Sequence, residues 1–204
     1  MRKVVAVAHG EPPGHTAPTL PRGVVGLSVH RPYPGAAAEH PGDVHAVCMV
    51  WLDDDVDPLD AARAVVGVEP MTAYVVDEQV QWDYVRDWPE GEVTPGVKRI
   101  SFVRRLPALT RAEFATHWTD VHAPLARVHH PAIWRYVQNV VVDAITPDAP
   151  EVDGVAELHF RTYDDLRHRM YDSDQGRVRI RADVRAFIDA PAGWRMLSTE
   201  RVLH

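Results

Sequence analysis

Two residues near the middle of the chain, Trp118 and His122, have the types and the spacing of a small catalytic pocket. They are four positions apart, so on a helix they lie on one face, one turn from each other. Pro124 follows and should kink or end that helix, which exposes backbone groups beside its last turn. An imidazole there can act as a general acid or base, because its ordinary pKa is about 6.5. Alternatively, His122 caps the helix or bonds the following loop.

Three other histidines lie close to His122 in the sequence. His117 precedes it by five positions, about 140° around an α-helix, so we expect the two imidazoles to share no ligand. That spacing argues against a metal site on this helix. We expect His117 to pair with Asp120 at the surface or to bond a loop. His129 and His130 are expected to be solvated loop residues.

Alternation along two later strands supplies a second group of candidates. Tyr136 shares a strand face with Trp134, whereas Asn139 is on the opposite face. On the next strand His159 shares a face with Glu157, towards either solvent or a barrel interior. Tyr136 and His159 could therefore line one pocket with a hydroxyl donor and an imidazole. The structural alternative is a buried Tyr136 with a satisfied hydroxyl and an exposed His159.

The elements that must position these residues repeat in order along the chain. Residues 97–204 read as β-α-β-β-α-β, the ferredoxin-like order, and Thr110 and Glu113 form a capping box at the start of the helix of His122. Residues 1–84 read in the same order, except that a Pro-rich loop at residues 11–22 replaces the first helix.

The linker signal between these repeats is DWPEGEVTPG at residues 87–96. A four-stranded sheet with helices on one face leaves its other face apolar, and two such sheets can bury those faces against each other. We therefore predict an α+β fold in which two ferredoxin-like halves are fused into a pseudo-dimeric α/β barrel. Residues 1–92 would be a degenerate half that lacks its first helix, and residues 93–204 the complete half.

A known family shares the motifs of the second half. The stretch LTRAEFATHWTDVHAPL, residues 109–125, resembles the pattern T-x-E-E-F-x-x-H-W-x-x-x-H-A-P-L of the EthD family, a branch of the dimeric α/β barrel superfamily. YVQN at 136–139, DGVAEL at 153–158 and FID at 187–189 resemble further family motifs in the right order. The resemblance covers about residues 97–204, and the first half lacks the helix motif. It implies the barrel fold and one fully equipped pocket.

The resemblance specifies the reaction less closely than the fold, because the superfamily includes cofactor-free monooxygenases, polyketide cyclases, lactone isomerases, dehydratases and heme enzymes. We predict a cofactor-independent enzyme of lyase or isomerase type, which acts on a small hydrophobic ring or polyketide-like compound by cyclisation, isomerisation or dehydration. His122 would be the acid or base, and Tyr136 or Asn139 would donate a hydrogen bond to a developing enolate oxygen. His159 is a further catalytic candidate. Candidate substrate contacts are Phe114, His117, Trp118 and Asn139.

Three alternatives stay open: a cofactor-free monooxygenase that uses the same pocket, a heme enzyme with an axial histidine, and a non-catalytic small-molecule-binding accessory protein. We expect no metal and no other cofactor. The protein is expected to be a monomer, as a pseudo-dimer, or a homodimer.

Composition narrows the partners. The chain has 204 residues, is 46% apolar and 25% charged, and carries a net charge of −7, which argues against nucleic acid. Its single cysteine excludes an internal disulfide and Cys-rich zinc sites. No apolar run approaches the roughly 18 residues of a membrane span, so we expect a cytoplasmic protein.

Overall fold

Eight strands form the framework of the part of the protein that the structure describes. The structure, a computed structural model, describes residues 1–11, 20–36 and 43–203. Of the loop predicted at residues 11–22, residues 12–19 lie outside the described part. In chain order the strands are β1 (Arg2–Ala8), β2 (Val24–Pro32), β3 (Ala46–Leu52), β4 (Met71–Trp82), β5 (Val93–Val103), β6 (Ile133–Ala144), β7 (Gly154–Phe160) and β8 (Trp194–Leu203).

All neighbouring strands are antiparallel, and they close into a barrel with the order β1-β3-β2-β8-β5-β7-β6-β4. The predicted mixed α/β barrel is confirmed at this level. The predicted linker at residues 87–96 is too long, because β5 begins at Val93 and pairs there with Arg201 of β8.

Helices cover parts of the outer surface. Helix α1 (Pro58–Val66) follows β3, and the carboxylate of Asp57 caps it by accepting from two backbone N–H groups. The capping box of Thr110 and Glu113 is present and begins the helical segment between β5 and β6. That segment consists of α2 (Arg111–Thr116), a π-helix (His117–His122) and α3 (Ala123–His129), and later helices are α4 (Tyr163–His168), α5 (Asp174–Phe187) and a 3₁₀ turn (Ala190–Ala192).

Strand alternation divides the side chains between the barrel interior and the outer face, which the helices cover. One end of the interior is apolar and includes Val5, Met49, Ile100, Phe102, Val155 and Met196. The other end holds buried charged groups, among them Lys3, Lys98, Glu157 and Glu200. On the outer face of the second half, Tyr136, Leu158 and Phe160 of the strands pack with Trp118, Ile180 and Phe187 of the helices.

No helix in the described ranges is both long enough and apolar enough to cross a membrane.

Candidate active site

The helical segment that carries the predicted site changes its register at His117. From His117 to His122 it is a π-helix, and the N–H of Ala123 donates to the carbonyl of Trp118, five residues back. Pro124 comes directly afterwards, in the first turn of α3. A proline has no N–H to donate, and its ring clashes with the carbonyl four residues earlier in an α-helix. A π-turn absorbs this conflict without ending the helix.

The wider turn places His117 and His122 on the same face, because residues five apart are bonded in a π-helix. Nε2 of His117 lies 2.8 Å from Oδ1 of Asp183 in α5, and Nδ1 of His122 lies 2.7 Å from Oδ2 of the same carboxylate. The expected separation of these two histidines by about 140° is therefore wrong, because both imidazoles bond the same carboxylate. So is the predicted surface pair of His117 with Asp120.

Asp183 is held as a carboxylate by its two partners. Burial alone would raise its pKa, but the hydrogen bonds from His122 and His117 lower the pKa below its ordinary value. An ionised carboxylate accepts from Nδ1–H of His122 and so fixes the proton on that nitrogen. The other ring nitrogen, Nε2, then points away from Asp183.

A cavity of about 620 Å³ lies between the outer sheet face of the second half and the covering helices. His122 lines it and is itself 8% exposed. His117 does not line it, so the structure places His117 behind Asp183 rather than against a substrate. The side chains that combine aromatic surface with polar groups in this wall are Trp118, His122, His130, Tyr136 and Tyr171.

Tyr136 brings a phenol to the cavity wall. Its hydroxyl accepts from Nε1 of Trp118 at 2.8 Å and from Nε2 of Gln138 at 3.1 Å. Burial raises the pKa of Tyr136 to about 12, so the phenol keeps its own proton and can donate it. Phe114 does not line the cavity but packs against Trp118, with 5.3 Å between the ring centroids. Its contribution is therefore to support the indole.

The two other predicted site residues of these strands, His159 and Asn139, lie on the opposite face of the sheet, inside the barrel. The register of β6 and β7 pairs Tyr136 with Leu158 and Arg135 with His159. Paired residues point to the same side, so Tyr136 and His159 point to opposite sides. The predicted pocket shared by Tyr136 and His159 is therefore wrong.

The predicted grouping of Trp134 with Tyr136 fails for a local reason. A bulge between Ile133 and Arg135 adds one residue to β6 and turns Trp134 towards the interior. Its ring centroid lies 5.6 Å from that of His159. Asn139, also inside, donates from Nδ2 to the carbonyl of Val155 and to Oε1 of Glu157, each at 3.0 Å.

The interior around His159 is a network of buried ion pairs. Nζ of Lys98 donates to Glu157 at 2.9 Å and to Glu200, and Nζ of Lys3 donates to Glu157 at 2.8 Å. Burial raises the pKa of Glu157, but Lys3 and Lys98 outweigh it and hold the pKa well below its ordinary value. Burial, followed by the charge of Lys98, lowers the pKa of His159 to about 4.

Three groups of this network have the types of metal ligands. One ligand atom from each of His30, Glu157 and Glu200 lies within 4.8 Å of the others. The ammonium group of Lys98 bonds both carboxylates and supplies the positive charge that a cation would bring. Burial lowers the pKa of His30 to about 3, so its imidazole is neutral. This arrangement is an ion-pair network around a lysine.

His129 and His130 are buried, so their prediction as solvated loop residues is wrong. Nδ1 of His129 lies 3.1 Å from both carboxylate oxygens of Asp172, and Nδ1 of His130 lies 2.6 Å from the carbonyl of Met170. Burial lowers the pKa of His130 to about 4. His130 thus adds a neutral imidazole to the cavity wall.

Sequence patterns alone did not identify Asp183 or four arginines of the cavity wall. Asp183 stands among arginines in the stretch RVRIRADVRAF of α5, where an isolated acid resembles an ordinary solvated charge. Only the π-helix register reveals its two imidazole partners. The arginines are Arg99 on β5, Arg181 and Arg185 on α5, and Arg195 on β8.

Comparisons with known proteins agree with this architecture. Residues 106–191, which include His122, Tyr136 and Asp183, match the family model of the EthD domain, so the resemblance to that family is confirmed over this range. No curated protein matches the chain at a significant level.

Two solved structures share the fold. An anthrone oxidase-like protein superposes with a TM-score of 0.61 at 14% identity, over 100% of this chain and 91% of the other. A proposed monooxygenase from Fusobacterium nucleatum subsp. nucleatum ATCC 25586 superposes with a TM-score of 0.50 at 11% identity, over 100% of this chain and 92% of the other.

Proposed function

We propose that the cavity beneath the π-helix is the active site of a cofactor-independent enzyme, which moves a proton on a small, mostly hydrophobic ring compound. The observation that carries this proposal is the geometry of His122. Its Nδ1 is bonded to Asp183 at 2.7 Å, and the ring lines a cavity of about 620 Å³. A histidine oriented by a carboxylate is the usual arrangement of a general base.

Each cavity residue has a role in the proposed proton transfer. Nε2 of His122 removes a proton from a carbon next to a carbonyl, and Asp183 stabilises the imidazolium that forms. The phenol of Tyr136 donates a hydrogen bond to the enolate oxygen that develops. Trp118 orients that phenol and supplies a flat surface for the ring. Return of the proton to a different atom completes an isomerisation, or starts a cyclisation or dehydration.

Asp183 is a positioning residue in this scheme, because it acts through His122. Asn139 is no longer a candidate donor to the enolate, since it lies inside the barrel and bonds Glu157.

A second candidate function is a cofactor-free oxygenase, favoured by the two structural neighbours described as anthrone oxidase-like and as a proposed monooxygenase. The same base would deprotonate an anthrone at its methylene carbon. The resulting anion would react with molecular oxygen, so that anthrone and O₂ give anthraquinone and water. The low identity to both neighbours makes them evidence for the fold, and the reaction has to be measured.

We also propose that the barrel consists of two fused ferredoxin-like halves, residues 1–92 and 93–204. The support is the strand order within each half. Numbered within its own half, each sheet has the order 4-1-3-2, as β4-β1-β3-β2 and as β8-β5-β7-β6. Pairs β2–β8 and β4–β6 join the halves. One chain then supplies the whole cavity, so a monomer would be active.

Anthrone serves as the probe for the proposed chemistry. Without oxygen, catalysed exchange of its methylene protons in D₂O reports proton transfer, and with oxygen, O₂ uptake and anthraquinone formation report oxidation. His122→Gln should lower the rate by about 100-fold or more, the usual size of an acid–base contribution. His117→Gln, which touches the same carboxylate from outside the cavity, should cost only about threefold, within the net contribution of one hydrogen bond.

His168→Gln removes an exposed imidazole and is the matched control. Exchange without O₂ uptake supports the acid–base enzyme, and uptake with anthraquinone formation supports the oxygenase. Full activity of His122→Gln, or equal losses in His117→Gln and His122→Gln, would overturn the role given to His122. Anthrone binding without either reaction would indicate a binding protein.

A further inference from the structure

We propose that the ring compound bound in this cavity carries a carboxylate, which the cavity arginines hold while the ring lies against the aromatic wall. This inference rests on the cavity being the functional site, as proposed above. It adds a negative charge to a ligand that was predicted from the sequence only as hydrophobic.

The charge of the cavity wall has the opposite sign to that of the whole protein. The chain has 29 acidic and 22 basic residues, excluding histidine. Within the described part of the chain, however, the wall contains four arginines and neither aspartate nor glutamate. A positively charged wall in a protein of net negative charge attracts an anionic ligand into the partly closed cavity.

Two of the arginines reach the cavity from the outer face of the sheet, and the other two from the covering helix α5. Arg99 lies on β5. Arg195 lies at the start of β8, where its register partner is Ser101 of β5. Arg181 and Arg185 are four positions apart on α5, so they share a helix face. In the described ranges, neither Arg181 nor Arg185 forms an ion pair.

Asp183 lies between Arg181 and Arg185 in the sequence but, among the described residues, forms an ion pair with neither. Its two carboxylate oxygens are bonded to His117 and His122. The positive charge of Arg99 also acts on His130 in the same wall. Burial lowers the pKa of His130 most, and the charge of Arg99 lowers it further. The wall therefore contains the guanidinium groups of Arg181 and Arg185 and the neutral imidazole of His130.

The chemistry of guanidinium selects the kind of anion. Its planar fork donates two parallel hydrogen bonds that match the oxygens of a carboxylate. The rings of His130 and Tyr171 line the same cavity as Arg99, with 5.0 Å between their centroids. Aromatic surface next to the arginines, with His122 elsewhere in the same wall, fits a ring whose acidic group is held apart from its reacting carbon.

The test compares the binding of 2-naphthoate with that of its neutral isostere 2-naphthamide, by calorimetry at low ionic strength. We expect the carboxylate to bind at least about tenfold more tightly, because an ionised partner strengthens each hydrogen bond. The preference should shrink as salt is raised, since exposed charges are screened within about 10 Å at 0.1 M. Arg181→Gln and Arg185→Gln should each reduce it by about threefold or more.

Arg179→Gln is the matched control, because it removes the same charge from the same helix at an exposed position that does not line the cavity. Equal affinity for the two probes would overturn the proposal, and so would equal losses in Arg179→Gln and Arg185→Gln. Arg181 and Arg185 are exposed, so their variants should fold.

The outcome is separable from that of the proposed reaction. Binding needs no turnover, and His122→Gln should retain the preference for 2-naphthoate. If the protein prefers 2-naphthoate but does not turn over anthrone, the proposal of an anionic ligand is supported and the proposed reaction is rejected. If turnover depends on His122 while the preference is absent, the anionic ligand alone is rejected.

Discussion

The substitution His159→Gln tests which face of the sheet carries the chemistry. His159 is 1% exposed inside the barrel, and its Nε2 donates to the carbonyl of Pro95 at 2.9 Å. The amide nitrogen of glutamine can replace that donor. Lys98, Glu200 and Arg135 are the charged groups that face the ring. Because His122 lies on the other face, we expect the variant to keep turnover within about twofold, the effect of a distant site, and to change acid stability instead.

The size of the stability change follows from the buried imidazole. In the unfolded chain a histidine takes up a proton near pH 6.5, whereas burial lowers the pKa of His159 to about 4. The folded state therefore binds fewer protons between these values, and stability falls as the pH falls from 6.5 towards 4. Linkage gives a loss of about 2 kcal/mol from His159 between about pH 7.5 and pH 5.

Two other histidines act in the same direction. Burial lowers the pKa of His30 to about 3 and that of His130 to about 4. The three together should cost the native protein about 6 kcal/mol over that interval, and His159→Gln should reduce the loss to about 4 kcal/mol. Urea unfolding followed by far-ultraviolet circular dichroism at several pH values measures the difference.

The exposed His168 provides the control, since His168→Gln should leave the pH dependence of stability unchanged. An identical pH dependence in native protein and His159→Gln would show that this ring is not a buried neutral imidazole. A loss of turnover as large as that of His122→Gln would move the chemistry from the outer cavity into the barrel.

Three further substitutions test the ion pairs, the packing and the helix register. Lys98→Met leaves two buried carboxylates without their shared ammonium group and should lower the free energy of unfolding by about 3–5 kcal/mol; a neutral result would refute the network. Gly154→Ala places a methyl group against the indole of Trp118 and should cost about 1–3 kcal/mol in urea unfolding, with a shift in tryptophan fluorescence as the second readout. Pro124→Ala removes the reason for the π-turn, so one of the two imidazole N–H protons on Asp183 should leave the low-field NMR region; two retained signals would contradict our explanation.

Local signals predicted most of the elements of the second half. The capping box at Thr110 and Glu113 marks a helix start, and the burial of Phe114 and Trp118 follows from their spacing on one face. Alternation on β7 correctly separated Glu157 and His159 from their apolar neighbours. These properties depend on a few adjacent residues, so they can be inferred without knowing what packs against them.

The relation between candidate site residues could not be inferred in the same way. Whether His159 meets Tyr136 depends on which face of the sheet the helices cover, and alternation alone leaves that choice open. The burial of His130 depends on the carbonyl of Met170, forty positions away. The role of Asp183 depends on the packing of α5 against the helix of His122, and these two helices are far apart in the sequence.

A bulge in β6 and a π-turn before Pro124 explain the largest differences between the predicted and the observed site. The π-turn also forms part of the proposed site. The bulge beside Trp134 shifts one side chain across the sheet. The π-turn before Pro124 rotates His117 towards His122, which lets one carboxylate hold both imidazoles. An α-helical register would separate the two rings by about 140°. A proline that conflicts with the regular helix thus creates the paired histidines on Asp183, so Pro124 helps to shape the proposed site without touching a substrate.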